Sequence, residues 1–391
     1  EDIPDWLTFS QTSGILMSSD YTWITITLDP AKVPPLTEIV DTVNITGNSV
    51  NGDFPLGIRV TPGTVPPPQG TTVNSILTDA EYHHNSGMMA ICTKSPNQLL
   101  LYNTASGVTD TIKLEKTPSC ISFSEDGQKA VIGYSVASVG YIDMTSRQIT
   151  EEFNIDCIPS DIVLGDNGWC YITPVADQWE KLRNLNLNTG QLITSSTAES
   201  IYEETVIKKI PGKPVMAGSM ITLSPTSLLL FDLTGGQAKD EVTRYHESIG
   251  DFWISKDGAR MYAAYGNVYT LPEYDGQFHS SSPPVYGNID TESSYIYALD
   301  DCPAINSVFA SSSIYWWQTG TSSLIEQFNA TNLNRIRTFN VSPVVLNQYG
   351  TLLQTCPRFI FVRKDGSAMY VLKTLRPDYG VEGWFMETIN L

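Results

Sequence analysis

The chain has 391 residues and a formal net charge of −19, with 41% hydrophobic and 10% aromatic residues. A chain this acidic, without a basic cluster, repels nucleic-acid phosphates. No apolar run reaches the length that crosses a bilayer. These features exclude a nucleic-acid partner and a membrane-spanning segment, and they indicate a large, folded, mostly β protein.

The first 61 residues contain short segments with strand patterns. "WITITL" (23–28) and "TVNITG" (42–47) alternate strictly between apolar and polar residues, and "LGIRVT" (56–61) does so less cleanly. "DWLTFSQTSG" (5–14) opens with an aromatic anchor. Short alternating strands between Pro, Asn and Gly turns are typical of a small β-sandwich, which we predict for residues 1–61.

The same segment resembles a BACON domain through Trp6-Leu7, the run "QTSG" that ends at Gly14, and the strand that begins at Trp23. This family consists of immunoglobulin-like modules at the N-termini of exported bacterial proteins, many of them polysaccharide-degrading. The resemblance implies export to the periplasm or outer surface of a Gram-negative bacterium, where a lipidated Cys just before Glu1 would fit. It also implies a glycan or another cell-envelope protein as the partner.

A Pro- and Gly-rich segment, residues 62–71, follows and is predicted to be a stiff linker. Beyond it, one phrase recurs at long spacing as "SEDGQKAVIGY" (124–134), "SKDGARMYAAY" (255–265) and "RKDGSAMYVLK" (363–373). Asp-Gly is a tight-turn signal because Gly accepts a positive φ and Asp bonds its own backbone. Each copy therefore predicts a β-hairpin.

The Gly of this phrase marks a repeat. Weaker copies at Gly87, Gly168 and Gly212 leave intervals of 40–46 residues from Gly87 to Gly258, and a copy without Gly at 302–318 places Ser312 in the Gly position. An apolar strand, an Asn or Asp and a polar turn follow most of the hairpins. Seven units of four strands predict a seven-bladed β-propeller over residues 72–391.

The last unit stops after its third strand, which leaves a sheet edge open. Proteins avoid long open edges. We therefore predict that residues 72–78 supply the fourth strand of the last blade by pairing with residues 384–391. The predicted fold is all-β: an immunoglobulin-like sandwich and a propeller closed by an N-terminal strand.

The propeller resembles the YVTN-type and lactonase-like seven-bladed families through "xxDGxxxY" and the "hydrophobic-Asp/Asn-xx-Thr/Ser-Gly" turn. These motifs define a fold and carry little information on activity. The cysteines show no metal-binding spacing. Cys302-Pro303 and Cys356-Pro357 occupy equivalent positions in the repeat as aligned, where a disulfide is conceivable, but free thiols are favoured because neighbouring inner strands are usually too far apart.

Acidic residues recur in the predicted inter-blade loops, where propellers commonly bind ligands. They are Asp79, Glu115, Asp156, Asp161, Glu203, Glu204, Glu247, Asp251, Asp300 and Asp301. Converging loops would concentrate negative potential over one funnel. No cofactor is predicted, but the funnel could hold Ca²⁺, with Asp161 and Asp251 as candidate ligands. The alternative is that an acidic protein simply has acidic loops.

Aromatic residues on the same face suggest a sugar-binding cleft. Trp179, Tyr349, Tyr379 and Trp384 are the candidate aromatic ligand-binding residues, beside the carboxylates Asp161, Glu203 and Asp251. Aromatic rings stack on sugars while polar groups bind hydroxyls. For Trp384, which begins a strand, packing between blades is the alternative.

Catalysis has little support in the sequence. His246 and Arg376 are the candidate catalytic residues, since His246 lies beside a carboxylate in a predicted inter-blade loop. We favour a non-enzymatic, exported binding or scaffold protein with the sandwich as spacer. The alternatives are a carbohydrate-active lyase or hydrolase and a lactonase-like, metal-dependent hydrolase acting at the funnel.

Overall fold

A computed structural model describes the chain in two compact units, residues 1–65 and 66–391. The described residues are 3–17, 22–29, 31–32, 39–47, 53–60, 75–176, 178–196, 198, 200–223, 226–244, 249–277, 283–293, 295–313, 322–345, 352–375 and 383–391. Almost all regular structure in them is β-strand. None of their helices has the length and apolarity needed to cross a bilayer.

The first unit contains strands where the sequence predicts them. β1 (Leu7–Phe9) pairs with β2 (Ile26–Leu28), and β3 (Ile39–Ile45) pairs with β4 (Phe54–Val60). Each pair is a separate two-stranded sheet. Trp6 and Leu7 are buried apolar side chains of this unit. A sandwich requires two sheets that face each other around a shared core. The described residues do not test that arrangement, so the sandwich stays a prediction.

The second unit is a seven-bladed β-propeller. Blade one contains β5 (Ile76–His83), β6 (Met88–Lys94), β7 (Gln98–Asn103) and β8 (Val108–Lys113). Blade two contains β9 (Pro118–Phe123), β10 (Lys129–Tyr134), β11 (Ser138–Asp143) and β12 (Gln148–Asn154). Blade three contains β13 (Pro159–Leu164), β14 (Trp169–Pro174), β15 (Arg183–Asn186) and β16 (Leu192–Thr194). Blade four contains β17 (Val206–Lys209), β18 (Val215–Ser219), β19 (Leu228–Asp232) and β20 (Lys239–Arg244).

Blade five contains β21 (Phe252–Ile254), β22 (Arg260–Ala263), β23 (Asn267–Thr270) and β24 (Val285–Asn288). Blade six contains β25 (Tyr295–Cys302), β26 (Ser307–Ser313), β27 (Leu324–Asn329) and β28 (Arg335–Asn340), with a 3₁₀ turn at Pro303–Ile305. A two-stranded sheet of β29 (Val344–Val345) and β30 (Leu352–Leu353) precedes blade seven. Blade seven contains β31 (Thr355–Val362), β32 (Ala368–Leu375) and β33 (Trp384–Asn390). The strands of each blade pair antiparallel in chain order, so the seven-bladed prediction is confirmed.

The predicted closing strand is not found among the described residues. Ile76 and Leu77, the first residues of β5, pair with Lys94 and Thr93 of β6 inside blade one. This pairing occupies one edge of the segment, and no pairing of residues 75–78 with β33 is found in the described part of the chain, outside which residues 72–74 lie. The described residues give blade seven three strands.

The repeated Gly has the conformation that the sequence predicts. Gly127, Gly258 and Gly366 all adopt φ between 65° and 72°, where a Cβ would be strained. In blade six the predicted position of the turn is wrong. Asn306, at φ 48°, adopts the left-handed conformation of the turn, and Ser312 lies within β26. Asn tolerates the left-handed region better than most residues, which explains how a blade without the Gly keeps its turn.

The second repeated turn depends on a side-chain acceptor. Asn103 Oδ1 accepts the backbone N–H groups of Ala105 and Ser106 at 3.0 Å. Asp143, Asn186 and Asn329 hold the corresponding turns in the same way. The Asn/Asp position of the repeat is therefore explained by local hydrogen bonding.

The core of the propeller lies between neighbouring blades. Val131 and Val139 of blade two, for example, pack in one cluster with Leu164 and Ile172 of blade three. All six cysteines are described, and none forms a disulfide. Cys302 ends β25 whereas Cys356 lies near the start of β31, so the two do not occupy equivalent positions, contrary to the alignment.

Candidate functional site

The first strands of the seven blades surround a central channel. It encloses a cavity of about 1000 Å³ to which β5, β9, β13, β17, β21, β25 and β31 all contribute lining residues. The acidic lining residues are Asp79, Glu81, Glu125, Asp161, Asp251, Asp257, Asp300 and Asp301, and the basic ones are Lys208, Lys209, Lys256, Arg358 and Lys364. The channel is thus a polar, net-acidic cavity.

β-Bulges set the position of two of these acids. The register of β5 shifts just before Asp79, and that of β13 shifts just before Asp161. A bulge adds one residue to a strand and re-aims the side chains next to it. The two aspartates, in blades one and three, thereby make equivalent hydrogen bonds in their own surroundings.

Each of these aspartates connects two blades. Asp79 Oδ2 accepts the backbone N–H of Ile121 at 2.8 Å, and Asp161 Oδ2 accepts that of Ile207 at 2.8 Å. Their Oδ1 atoms accept the N–H of the next residue in the chain, also at 2.8 Å. The inner edge of a first strand has no further strand beside it, so its backbone donors need such acceptors.

Three more carboxylates repeat this bridging. Glu81 Oε2 accepts the N–H of Phe123 at 2.8 Å, and Asp300 Oδ2 accepts that of Val362 at 2.7 Å. Asp301 accepts the N–H of Lys256, with oxygen distances of 3.1 and 3.3 Å. The carboxylates of the channel therefore stabilise the ring itself, whatever else they bind.

Lysines stand among these carboxylates at two places. Lys208 Nζ lies 3.6 Å from Asp251 Oδ1, and Lys256 Nζ lies 2.5 Å from Asp300 Oδ1. Burial alone would lower the pKa of each lysine, but the surrounding carboxylates outweigh it and raise both pKa values. Both ammonium groups are therefore charged in the folded protein.

Burial has the opposite consequence for the carboxyl groups. It raises the pKa of Asp79 to about 7 and that of Glu81 to about 8, with a further contribution from neighbouring carboxylates. Burial also raises the pKa of Asp161 to about 6 and that of Asp301 to about 7, although Lys208 and Lys256 respectively oppose the shift. Near neutral pH, part of this acidic lining is protonated and can donate hydrogen bonds.

Two histidines lie at the end of β5. His83 Nε2 donates to the carbonyl of Glu125 at 2.9 Å, which joins blades one and two. His84 Nε2 is buried, 3.5 Å from Asp300 Oδ2, without a hydrogen-bond partner among the described residues. Burial, followed by the nearby Lys256, lowers the pKa of His84, so its ring is neutral.

The predicted site residues are only partly brought together. Asp161 and Asp251 line the channel, whereas Glu203 and Trp179 do not. Trp179 is 54% exposed and packs against Tyr202, with ring centroids 5.3 Å apart. The inter-blade residues Glu115, Asp156 and Glu204 are likewise absent from the channel lining.

Trp384 corrects one prediction. Its side chain is buried, it packs with Ala80 and Tyr370, and its Nε1 donates to Ser75 Oγ at 2.8 Å. The ring is therefore part of the packing between blades seven and one, and it is not free to stack on a ligand. His246, Glu247, Tyr349, Arg376 and Tyr379 lie outside the described residues. Among the described residues, no group of three or more His, Cys, Asp or Glu side chains is arranged to hold a metal ion.

Sequence reasoning missed Lys208, Lys256 and Glu81. They share no position in the repeat, since Lys208 stands four residues before Gly212, Lys256 two before Gly258 and Glu81 six before Gly87. The Gly pattern therefore gives no signal for them. A charged residue on or just after a first strand, facing either a neighbouring blade or the channel, is the signal that the sequence does contain.

The fold and the channel define a seven-bladed β-propeller with a polar central cavity. The β-propeller domain of Cps50 (Swd1) from Myceliophteria thermophila is similar, with a TM-score of 0.57 and 9% identity over 80% of this chain and 98% of that one. Hydrazine synthase from Kuenenia stuttgartiensis is similar over 84% of this chain and 99% of its own, with a TM-score of 0.56 and 11% identity. No protein-family model and no curated protein matches the chain. At these identities the similarity shows the fold alone.

Proposed function

We propose that this protein is a non-enzymatic, exported binding protein whose central channel holds its ligand. The cavity supports this proposal: it is about 1000 Å³, which suits a small molecule or the end of a glycan, and every blade lines it. Another buried ion pair, Lys373 with Glu387 in blade seven, is sealed, with side chains 0% and 3% exposed.

A binding role agrees better with the carboxylates than a catalytic role does. Asp79, Asp161 and Asp300 each use oxygen atoms to accept backbone N–H groups of a neighbouring blade. A carboxylate that acts as nucleophile or base must change its charge or bonding during the reaction. Such a change here would remove hydrogen bonds that hold the ring together.

The proposal has two further parts. The protein is exported, and its partner is a glycan or another cell-envelope protein. They are supported by the resemblance of "DWLTFSQTSG" and the following strand segments to a family of exported proteins. In this view the first unit is a spacer and the propeller is the ligand-binding part.

The experiment compares two Trp substitutions. Ser160 lines the channel, whereas Ser146 is exposed in the turn between β11 and β12. The wild type, Ser160→Trp and Ser146→Trp would be applied to a glycan array, and the affinity for each bound glycan measured by calorimetry. We expect Ser160→Trp to abolish binding and Ser146→Trp to preserve it. Equal binding by both variants would place the site outside the channel. Cleavage of a bound glycan would show that the protein is an enzyme and would contradict the non-enzymatic proposal.

A further inference from the structure

Lys208 occupies a central place in the acidic channel. Its Nζ is 3.6 Å from Asp251 Oδ1, and 35% of its side chain is exposed. The ammonium group also lies 5.7 Å from the ring centre of Phe252 and 6.0 Å from that of Trp253. An ammonium group in this position has donors left for a molecule that enters the cavity.

The charge of Lys208 acts on carboxylates from three other blades. Asp251, Asp161 and Asp79, in blades five, three and one, are the acids that stabilise its charged form. Two of them also accept backbone N–H groups through both oxygens, which fixes their orientation and leaves a second lone pair on each oxygen for a cation. A metal ion needs several oxygens that can converge on it. Here the amine already supplies the positive charge.

Lys256 repeats the arrangement toward the turn end of the channel. Its Nζ lies 2.5 Å from Asp300 Oδ1, and the charges of Asp301 and Glu81 also act on it. With 30% of its side chain exposed, this lysine too faces the cavity. Lys208 and Lys256 are thus two channel lysines that are each surrounded by acids.

The chemistry of the lining defines the ligand that it can accept. An anion would meet an excess of carboxylates, and a metal cation or an ammonium group would meet Lys208 and Lys256. A hydroxyl group accepts a hydrogen bond from an ammonium group and donates one to a carboxylate at the same time. Trp253, which lines the same cavity, provides an aromatic surface for a sugar ring.

We propose that Lys208 determines the specificity of the channel by acting as its resident cation, so that the site takes neutral, hydroxyl-rich ligands of the sugar type and excludes metal ions. The choice of ligand rests on the proposed function of the channel, whereas the exclusion of metal ions does not. The two parts can therefore be tested separately.

The first experiment measures calcium binding without any sugar. Thermal melts and calorimetric titrations with CaCl₂ would be recorded for the wild type, Lys208→Met and the surface control Lys129→Met, whose lysine pairs with Asp143 on the outside of blade two. We expect Ca²⁺ to raise the melting temperature of Lys208→Met only, because Asp79, Asp161 and Asp251 then lack a cation. Binding of Ca²⁺ by the wild type at least as tightly as by Lys208→Met would overturn the proposal.

The second experiment measures ligand selectivity. Neutral disaccharides would be titrated beside the corresponding uronic acids and amino sugars. We expect the neutral sugars to bind best, and Lys208→Met to weaken them about 10- to 100-fold, the effect of losing one charge-assisted hydrogen bond. Lys208→Arg, which keeps the charge, should retain most of the affinity, and Lys129→Met should match the wild type.

The outcomes separate the two proposals. If a neutral sugar binds in the channel but Lys208→Met binds it as well as the wild type does, the role of Lys208 is wrong and the proposed function stands. If the strongest ligand is a uronic acid or an amino sugar, the selectivity is wrong. If no sugar binds, the proposed function and the ligand class both fail, and the calcium titration alone decides whether Lys208 is the resident cation.

Discussion

Lysine and carboxylate meet in two contrasting regions of the propeller. In blade seven, Lys373 and Glu387 form an ion pair at 2.7 Å whose side chains are 0% and 3% exposed. In the channel, Lys208 and Asp251 are 3.6 Å apart and each is 35% exposed. The chemical groups are the same, but one pair is sealed and the other faces a cavity.

In the sealed pair, both charged groups find their remaining hydrogen-bond partners within the protein. Glu387 accepts the N–H and the Oγ–H of Ser342, and Lys373 Nζ donates to the carbonyl of Ser342 at 2.7 Å. Thr355 Oγ1 donates to the same carbonyl at 2.8 Å. These bonds attach the segment after blade six to blade seven. A buried charge is tolerated when an opposite charge and hydrogen bonds compensate it. The partly exposed channel lysines, in contrast, keep N–H donors for a ligand.

The largest expected effect comes from opening the sealed pair. Glu387→Gln leaves Lys373 buried without a counter-charge, so the free energy of unfolding should fall by about 3–5 kcal/mol. Chemical denaturation followed by tryptophan fluorescence measures it. The double variant Lys373→Met with Glu387→Gln should be more stable than Glu387→Gln alone, because no charge remains buried.

Glu152→Gln is the matched control for that experiment. Glu152 pairs with Lys116 at 2.7 Å, but its side chain is 43% exposed. Exposed pairs contribute about 0–1 kcal/mol. A loss as small for Glu387→Gln as for Glu152→Gln would show that the sealed pair does not hold blade seven together.

A second, smaller effect separates two channel aspartates. Asp161 accepts the backbone N–H groups of Ile162 and of Ile207 in the next blade. The carboxylate of Asp251 accepts the N–H of Phe252 in its own blade, and its contact with blade four is the partly exposed ion pair with Lys208. Asp161→Ala should therefore cost about 1–3 kcal/mol of unfolding free energy, and Asp251→Ala less. The same denaturation experiment compares them. Equal losses would mean that the backbone hydrogen bond between blades adds no more stability than the partly exposed ion pair does.

The third effect is a dependence of stability on pH, which is measured as a slope. Burial raises the pKa of Glu81 to about 8 and that of Asp79 to about 7, so the folded protein keeps protons that the unfolded chain has lost above about pH 5. Their contribution makes the unfolding free energy fall as pH rises through this window, by at most about 1.4 kcal/mol per pH unit for each group.

Glu81→Gln tests this dependence, since the amide oxygen can still accept the N–H of Phe123. Melts between pH 5 and 8 should show a flatter decline for Glu81→Gln than for the wild type. Glu203→Gln, outside the channel lining, is the control and should follow the wild type. A decline that is unchanged in Glu81→Gln would show that this carboxyl does not titrate in that window.

The repeat could be predicted from the sequence because its signals are local. Gly127 and Gly258 supply a positive φ within a turn, and Asn103 bonds N–H groups two and three residues away. Such interactions need no distant partner, so they appear in the sequence as a pattern. The seven blades follow from counting it. Only blade six, where Asn306 replaces the Gly, was placed incorrectly.

The site depended on contacts between blades, which the pattern does not contain. Asp79 and Ile121 are 42 residues apart, and a bulge in β5 sets where the side chain of Asp79 lies in the channel. The burial of Trp384 and the position of Lys208 follow from the same packing. Local hydrogen bonds and turns thus determined the repeat, whereas the closing of seven blades into a ring decided which charges meet in the channel, because only the ring brings distant segments to one axis.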